Sequence, residues 1–304
     1  TGGEWGVNAE ELIANQDPPV TRIGIEDLEG SNIVWSDFFA SGGEVSFAAK
    51  KQLRKHQEEA LEAVREGLQA NDRGKLIMAC GTGKTFTGLK IAEDLAGPGK
   101  KVLFMVPSLA LMSQTVTEWN IDKGIELNCF AVCSDAQVGK KTGQGDYGDI
   151  QIYDLTYPAT TNPRKLAEEV QKANPDAMTV VFSTYHSIDT ISKAQFNFGM
   201  DEFDLIICDE AHRTTGAIFE DEDESNFTKV HSDTNVQGKK RLYMTATPRV
   251  YGDGVKQKAG EASVELCSMD DESLYGPTLF TRGFSWAVEN QLLTDYKVIV
   301  LAVD

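Results

Sequence analysis

The chain has 304 residues, 41% of them hydrophobic and 25% charged, a balance that suits a globular body with a sizeable core and excludes a disordered or fibrous protein. No apolar run reaches the length of a membrane span, and the opening residues do not read as a secretory leader. A net charge of −18 disfavours a protein that coats DNA by bulk electrostatics and does not exclude one that grips a few phosphates locally.

Five cysteines, Cys80, Cys129, Cys133, Cys208 and Cys267, are scattered without paired zinc spacing. Cys129 and Cys133 fall in a strand-like apolar run and read as core, and the whole set predicts a reducing cytoplasm. The first residue is Thr rather than Met, which predicts a piece of a longer protein. Residues 1–50 read as a linker or accessory segment, acidic and punctuated by Gly2-Gly3, Asp17-Pro18-Pro19 and Ser41-Gly42-Gly43. Within it, Trp5, Trp35, Phe38 and Phe39 predict packing on the body.

An amphipathic helix is expected over residues 51–70, with Leu53, Gln57, Leu61, Val64 and Leu68 on one side. A short buried strand over residues 75–79 then runs into Met78-Ala79-Cys80-Gly81-Thr82-Gly83-Lys84-Thr85, and a helix follows to Leu95. Strand, glycine loop, Gly-Lys-Thr and helix is the context a phosphate-binding loop requires. Gly81 and Gly83 let the backbone curl so that the N–H groups of this loop, Thr82 included, face phosphate oxygens. The helix N-terminus adds a dipole that favours anions. Lys84 is positioned to reach the β- and γ-phosphates of ATP, and the Thr85 hydroxyl to ligate Mg²⁺. The strict pattern has Gly where Met78 stands. A chance glycine turn before a helix would look the same locally, and only the rest of the chain argues against it.

Further on, residues 101–106 predict a buried strand, and residues 108–119 a helix capped by Ser108. A strand over 127–133 precedes a stretch, 134–161, rich in Gly, Asp, Lys and Thr, which reads as a long surface insertion. Asn162-Pro163 places a cap and a first-turn proline at the start of another helix, running to about Ala173. Buried strands are expected over 178–183, 205–209 and 241–245, with a closing strand over 296–303. Strands apolar on both faces, alternating with helices, predict a parallel α/β sheet covered on both sides.

The strand over 205–209 ends in Asp209-Glu210-Ala211-His212. An acid at the C-terminal end of a buried strand is where a doubly wound sheet places its ligand. Asp209 can hold Mg²⁺ through water, and Glu210 can polarise the water that attacks the γ-phosphate. A solvated acidic turn is as good a reading of these four residues alone, and becomes a poor one once a phosphate loop stands upstream. The acidic run Glu220–Glu224 reads as such a solvated loop. The next strand runs into Thr245-Ala246-Thr247-Pro248-Arg249.

The order phosphate loop, Asp-Glu-Ala-His, Thr-Ala-Thr resembles that of superfamily 2 helicases and translocases. Leu53-Arg54-Lys55-His56-Gln57 is similar to the segment whose Gln contacts adenine. Val106-Pro107-Ser108-Leu109-Ala110-Leu111 and Phe182-Ser183-Thr184-Tyr185 are similar to the first nucleic-acid motifs. The loop, Asp-Glu-Ala-His-Arg and Thr-Ala-Thr-Pro-Arg also resemble the motors of type I restriction enzymes and, more closely, of single-chain type ISP restriction–modification enzymes, which share the Met78 departure. So does Phe284-Ser285-Trp286-Ala287-Val288-Glu289-Asn290-Gln291-Leu292-Leu293, followed by Asp295-Tyr296-Lys297-Val298.

The resemblance implies a RecA-like ATPase domain over residues 51–304, the first of two motor domains. It implies Gln57 as an adenine contact and His212 as a coupling residue toward Thr245 and Thr247. Ser108 and Thr184 become contacts to double-stranded DNA. The second RecA-like domain, a nuclease and a methyltransferase would lie elsewhere in the parent protein. Two rival readings are a repair or remodelling helicase motor, and an ATP-switched nucleic-acid clamp that does not translocate.

Overall fold

In the computed structural model, residues 24–133, 159–217, 225–261 and 266–295 are described. Two short helices, α1 (Ile25–Glu29) and α2 (Trp35–Ser41), precede the amphipathic α3 (Lys55–Ala70). Strand β1 (Arg73–Met78), helix α4 (Lys84–Leu95), strand β2 (Lys101–Val106), helix α5 (Leu109–Asp122) and strand β3 (Leu127–Val132) follow. Then come β4 (Ala159–Thr160), α6 (Pro163–Lys172), β5 (Met178–Thr184), α7 (Ile188–Phe198) and β6 (Leu205–Cys208). The remaining elements are β7 (Gly216–Ala217), α8 (Ser225–Thr228), β8 (Arg241–Thr245), α9 (Asp253–Glu261), β9 (Leu266–Cys267), α10 (Glu272–Tyr275), β10 (Thr278–Arg282) and α11 (Phe284–Glu289).

Eight strands form one parallel sheet in the order β10-β1-β8-β6-β2-β5-β3-β4. This is the RecA-like α/β fold the sequence predicts. The two periods of the chain explain it. Along β2, Val102, Phe104 and Val106 point into one core with α3, α4 and α5, while Leu103 and Met105 point into the other with α6 and α7. Both faces are therefore buried, as a parallel sheet requires. Phe104, Trp119 and Phe182 pack edge-to-face at the centre of the first core, with Phe104–Trp119 centroids 4.9 Å apart.

Local signals end the helices where expected. Ser108 caps α5 by accepting the Leu111 N–H, and Asn162 caps α6 by accepting from Arg164 and Lys165, with Pro163 in the first turn.

The described aromatic residues of the leading segment, Trp35, Phe38 and Phe39, make their ring contacts with one another. The Trp35–Phe38 centroids are 5.7 Å apart, and Phe39 remains 76% exposed. The described edge of the sheet beside β1 is β10, which the sequence reading passes over. Trp5, the 134–158 part of the insertion, Glu220–Glu224 and the closing strand over 296–303 lie outside the described residues.

Beneath β8 sits a buried polar network. His231 is 5% exposed and donates from Nε2 to the Thr214 carbonyl (2.9 Å), so its Nδ1 must accept from the Tyr243 hydroxyl (3.0 Å). The Tyr275 hydroxyl donates to the same Thr214 carbonyl (2.9 Å). Burial pushes the His231 imidazole down to about 4. The folded protein thus holds it neutral where the unfolded chain would protonate it. The resulting stability is fully present above pH 6.5 and is lost as pH falls toward 4, a change of about 3 kcal/mol at 1.36 kcal/mol per pKa unit. Urea unfolding at pH 7 and pH 4.5 should therefore show a smaller acid loss in His231→Asn than in the unchanged protein. Equal losses would remove His231 as the cause.

Candidate nucleotide site

The C-terminal ends of β1, β6 and β8 lie side by side in the sheet and bring the predicted residues together. After β1 the chain turns through Gly81 (φ 78°) and Gly83 (φ 87°), both in the left-handed region that glycine enters without strain. A Cβ at Gly83 would collide with the Gln57 carboxamide, so the loop is shaped against α3 as well as by its own torsions. Thr82 is buried, and its hydroxyl returns to the Ala79 carbonyl at 2.7 Å. From α3, His56 Nε2 donates to the Thr82 carbonyl at 3.0 Å. Gln57 Nε2 donates to the Thr82 and Gly83 carbonyls at 3.4 and 3.3 Å, and its Oε1 accepts the Arg54 N–H at 2.9 Å. Gln57 is only 4% exposed, and its amide serves the loop.

Lys84 opens α4, with Nζ 3.6 Å from Glu210 Oε1. Thr85 beside it is anchored through its carbonyl, which accepts the Trp119 indole N–H at 3.1 Å. At the end of β6, Asp209 is buried and its Oδ1 accepts the Glu210 N–H at 2.9 Å. Glu210 adopts a left-handed φ of 47°, a strained conformation for a residue with a side chain. His212 Nδ1 lies 3.3 Å from Glu210 Oε2 and 3.1 Å from Thr245 Oγ1. Because the Thr245 hydroxyl donates to the Thr247 carbonyl (3.3 Å), His212 Nδ1 carries the proton and shares it between Glu210 and Thr245. Lys84, Glu210, His212 and Thr245 thus form one continuous polar chain, and Thr247 joins it by its N–H to Thr245 Oγ1 at 3.2 Å.

The two acids respond oppositely to this environment. Burial, with the Glu210 charge second, pushes Asp209 up to about 6. The hydrogen bond from His212, ahead of the charge of Lys84, holds Glu210 below the usual carboxylate range. A buried carboxylate beside a second one is a site suited to a cation. Among the described residues no cluster of three or more metal-binding side chains occurs. Mg²⁺ in phosphate-transfer sites is typically held by one or two carboxylates plus substrate phosphates and water. Asp209, at the end of β6, and Thr85, in the first turn of α4, are the two residues expected from the sequence to hold such an ion.

The two predicted DNA contacts separate. Ser108 is half-buried at the start of α5, whereas Thr184 is fully buried and donates its hydroxyl to Ser187 at 3.1 Å. A side-chain contact from Thr184 to DNA does not fit that burial. His56, Trp119 and Tyr185, whose hydroxyl donates to the Asp209 carbonyl at 2.8 Å, are supporting residues the sequence did not single out. Each acts on a backbone carbonyl, and no local pattern announces such a contact.

A glycine loop at one strand end, an acid pair at the next but one and a linked Thr-Ala-Thr turn define a P-loop nucleotide-binding domain of the helicase class. The chain belongs to the family described as type III restriction enzyme, res subunit, whose model matches residues 50–250. Residues 1–44 match a restriction endonuclease family. Among solved structures, the ATP-dependent type ISP restriction–modification enzyme LlaBIII bound to DNA is 44% identical, with a TM-score of 0.82 over 98% of this chain and 19% of that one. A nuclease-deletion mutant of the type ISP enzyme LlaGI, in complex with a DNA substrate mimic, is 40% identical, with a TM-score of 0.61 over 80% of this chain and 21% of that one. A probable helicase of African swine fever virus is 30% identical over 93% of this chain. The chain spans 27% of that viral relative's length. No helix among the described residues is long and apolar enough to cross a membrane.

Proposed function

We propose that the chain is the N-terminal RecA-like half of an ATP-driven translocase that moves along double-stranded DNA within a restriction–modification enzyme. The observation that carries this reading is the polar chain Lys84–Glu210–His212–Thr245, set in a domain 44% identical to a type ISP enzyme bound to DNA. Bound ATP–Mg²⁺ supplies the phosphoryl bond whose hydrolysis drives the motor. Lys84 neutralises the terminal phosphates, Thr85 and Asp209 hold the metal, and Glu210 orients and polarises the attacking water. His212 reports the state of Glu210 to the Thr245–Thr247 turn. Ser108 and the start of α5 face the DNA backbone.

The leading segment fits the close of a nuclease domain. It matches a restriction endonuclease family over residues 1–44, and Ile25, Phe39 and Phe47 expose 60%, 76% and 64% of their surface. The second RecA-like domain and the methyltransferase complete the proposed parent.

The test is displacement of a third strand placed at a distance along duplex DNA by the full-length enzyme. ATP-dependent displacement with a lag that grows with distance is expected. Displacement without a distance-dependent lag would point to a switch rather than a motor. Lys84→Ala should abolish binding in a fluorescent-nucleotide titration, and an unchanged affinity would sink the assigned site.

A further inference from the structure

Between β10 and residue 293, the chain folds back along the phosphate loop. Trp286, half-buried on α11, lies with its ring centroid 5.4 Å from that of His56, the residue that holds the Thr82 carbonyl. Seven residues later the Leu293 side chain comes within 3.0 Å of where a Cβ would stand on Gly81. Arg282 lies 5.2 Å from the Trp286 ring centroid and is tied to Glu59 at 2.9 Å. Its Nε is buried without a hydrogen-bond partner.

The direction of a nucleotide in the loop follows from the residues around it. Its terminal phosphate points to Glu210, on the β6 side. The nucleoside then leaves on the other side, toward α3, where His56 and Gln57 meet the loop. Gln57 is buried and both ends of its amide are engaged by Arg54, Thr82 and Gly83, so a stacking partner for the base has to come from another residue. Trp286 is the partly exposed aromatic surface on that side.

We propose that Trp286 is the base-stacking residue of the nucleotide site, taking the purine ring of ATP against its indole, with Arg282 fixing the indole in place. The proposal rests on the reading of the loop as an ATP site. A planar apolar ring stacks on indole with little demand on base identity. The Arg282 cation beside the indole adds a favourable contact with the ring face.

The test uses the full-length protein and two probes, ATP–Mg²⁺ and inorganic tripolyphosphate–Mg²⁺, which shares the phosphates and lacks the base. Trp286→Ala should raise the Kd for ATP by about 5- to 100-fold, the range expected for one lost base–aromatic stack, and leave tripolyphosphate binding within twofold. Trp286→Phe should recover most of the loss. Should Trp286→Ala fail to fold, the emission difference between the unchanged protein and Trp286→Phe decides instead, with quenching expected by ATP and not by tripolyphosphate. Equal weakening of both probes, or no change in ATP affinity, overturns the proposal. If Lys84→Ala leaves both probes bound, the site reading itself fails, and that result is distinct from a failure at Trp286.

Discussion

Full-length enzyme carrying Glu210→Gln is expected to bind ATP–Mg²⁺ at close to the original affinity and to hydrolyse it about 10²–10⁴-fold more slowly. The substitution keeps the size of the side chain and removes its charge. Lys84, 3.6 Å away, then loses an anionic partner but keeps its place at the helix start, where the phosphates meet it. What disappears is the negative charge that, in the proposed mechanism, polarises the water; the amide oxygen can still accept from His212 Nδ1. Asp209→Ala should act differently, weakening binding in a manner that rising Mg²⁺ partly restores. Nucleotide titrations and single-turnover hydrolysis on both variants separate the two roles. An identical binding defect in both, with no separate catalytic defect, would show that the division is wrong.

The second large effect concerns an arginine. Phosphoryl transfer builds charge on the γ-phosphate and the leaving oxygen, and an arginine from a partner domain is typically worth about 10³–10⁵ in rate. The ion-pair partners of Glu210 are Lys84 and His212. Arg249 lies over the Tyr251 ring at 5.0 Å, and Arg213, exposed beside the motif, follows Glu210 on the same edge. The 304-residue chain expressed alone should therefore hydrolyse ATP slower than the full-length enzyme by about that factor, even with duplex DNA. Steady-state turnover above a few per minute in a preparation free of other ATPases would sink this. It would place Arg213 or Arg249 in the finger role, within the chain or across a dimer.

The central strands and the nucleotide loop were legible because their signals are local. An apolar run of five or six residues, then glycines at set spacing, states a buried strand and a phosphate turn together. Asp209-Glu210-Ala211-His212 was legible for the same reason. The edge strand β10 was not, since it buries only Phe280 and alternates with exposed threonines, so its apolar signal is weak. Helix α7 went unmarked because the preceding turn, Tyr185–Ser187, breaks the helical period at its start. The role of Gln57 depends on the approach of α3 to the loop, a tertiary contact 26 residues apart in sequence from Gly83. The Trp286–His56 contact joins residues still more distant, and no periodicity reveals it.

The strand order has a consequence for how the protein is made. Strand β1, which carries the phosphate loop, is flanked by β8 and β10, so it pairs with residues 241–245 and 278–282 rather than with its sequence neighbours. Synthesis delivers the loop early and its two supports late. A nascent chain that has emerged only as far as β5 can join β2, β3 and β5 but holds β1 with both edges unpaired. Such a chain should have no affinity for nucleotide, and its bare β1 edges are where a chaperone or an aggregate would take hold during translation. The motor acquires its fuel site only when most of the domain has left the ribosome.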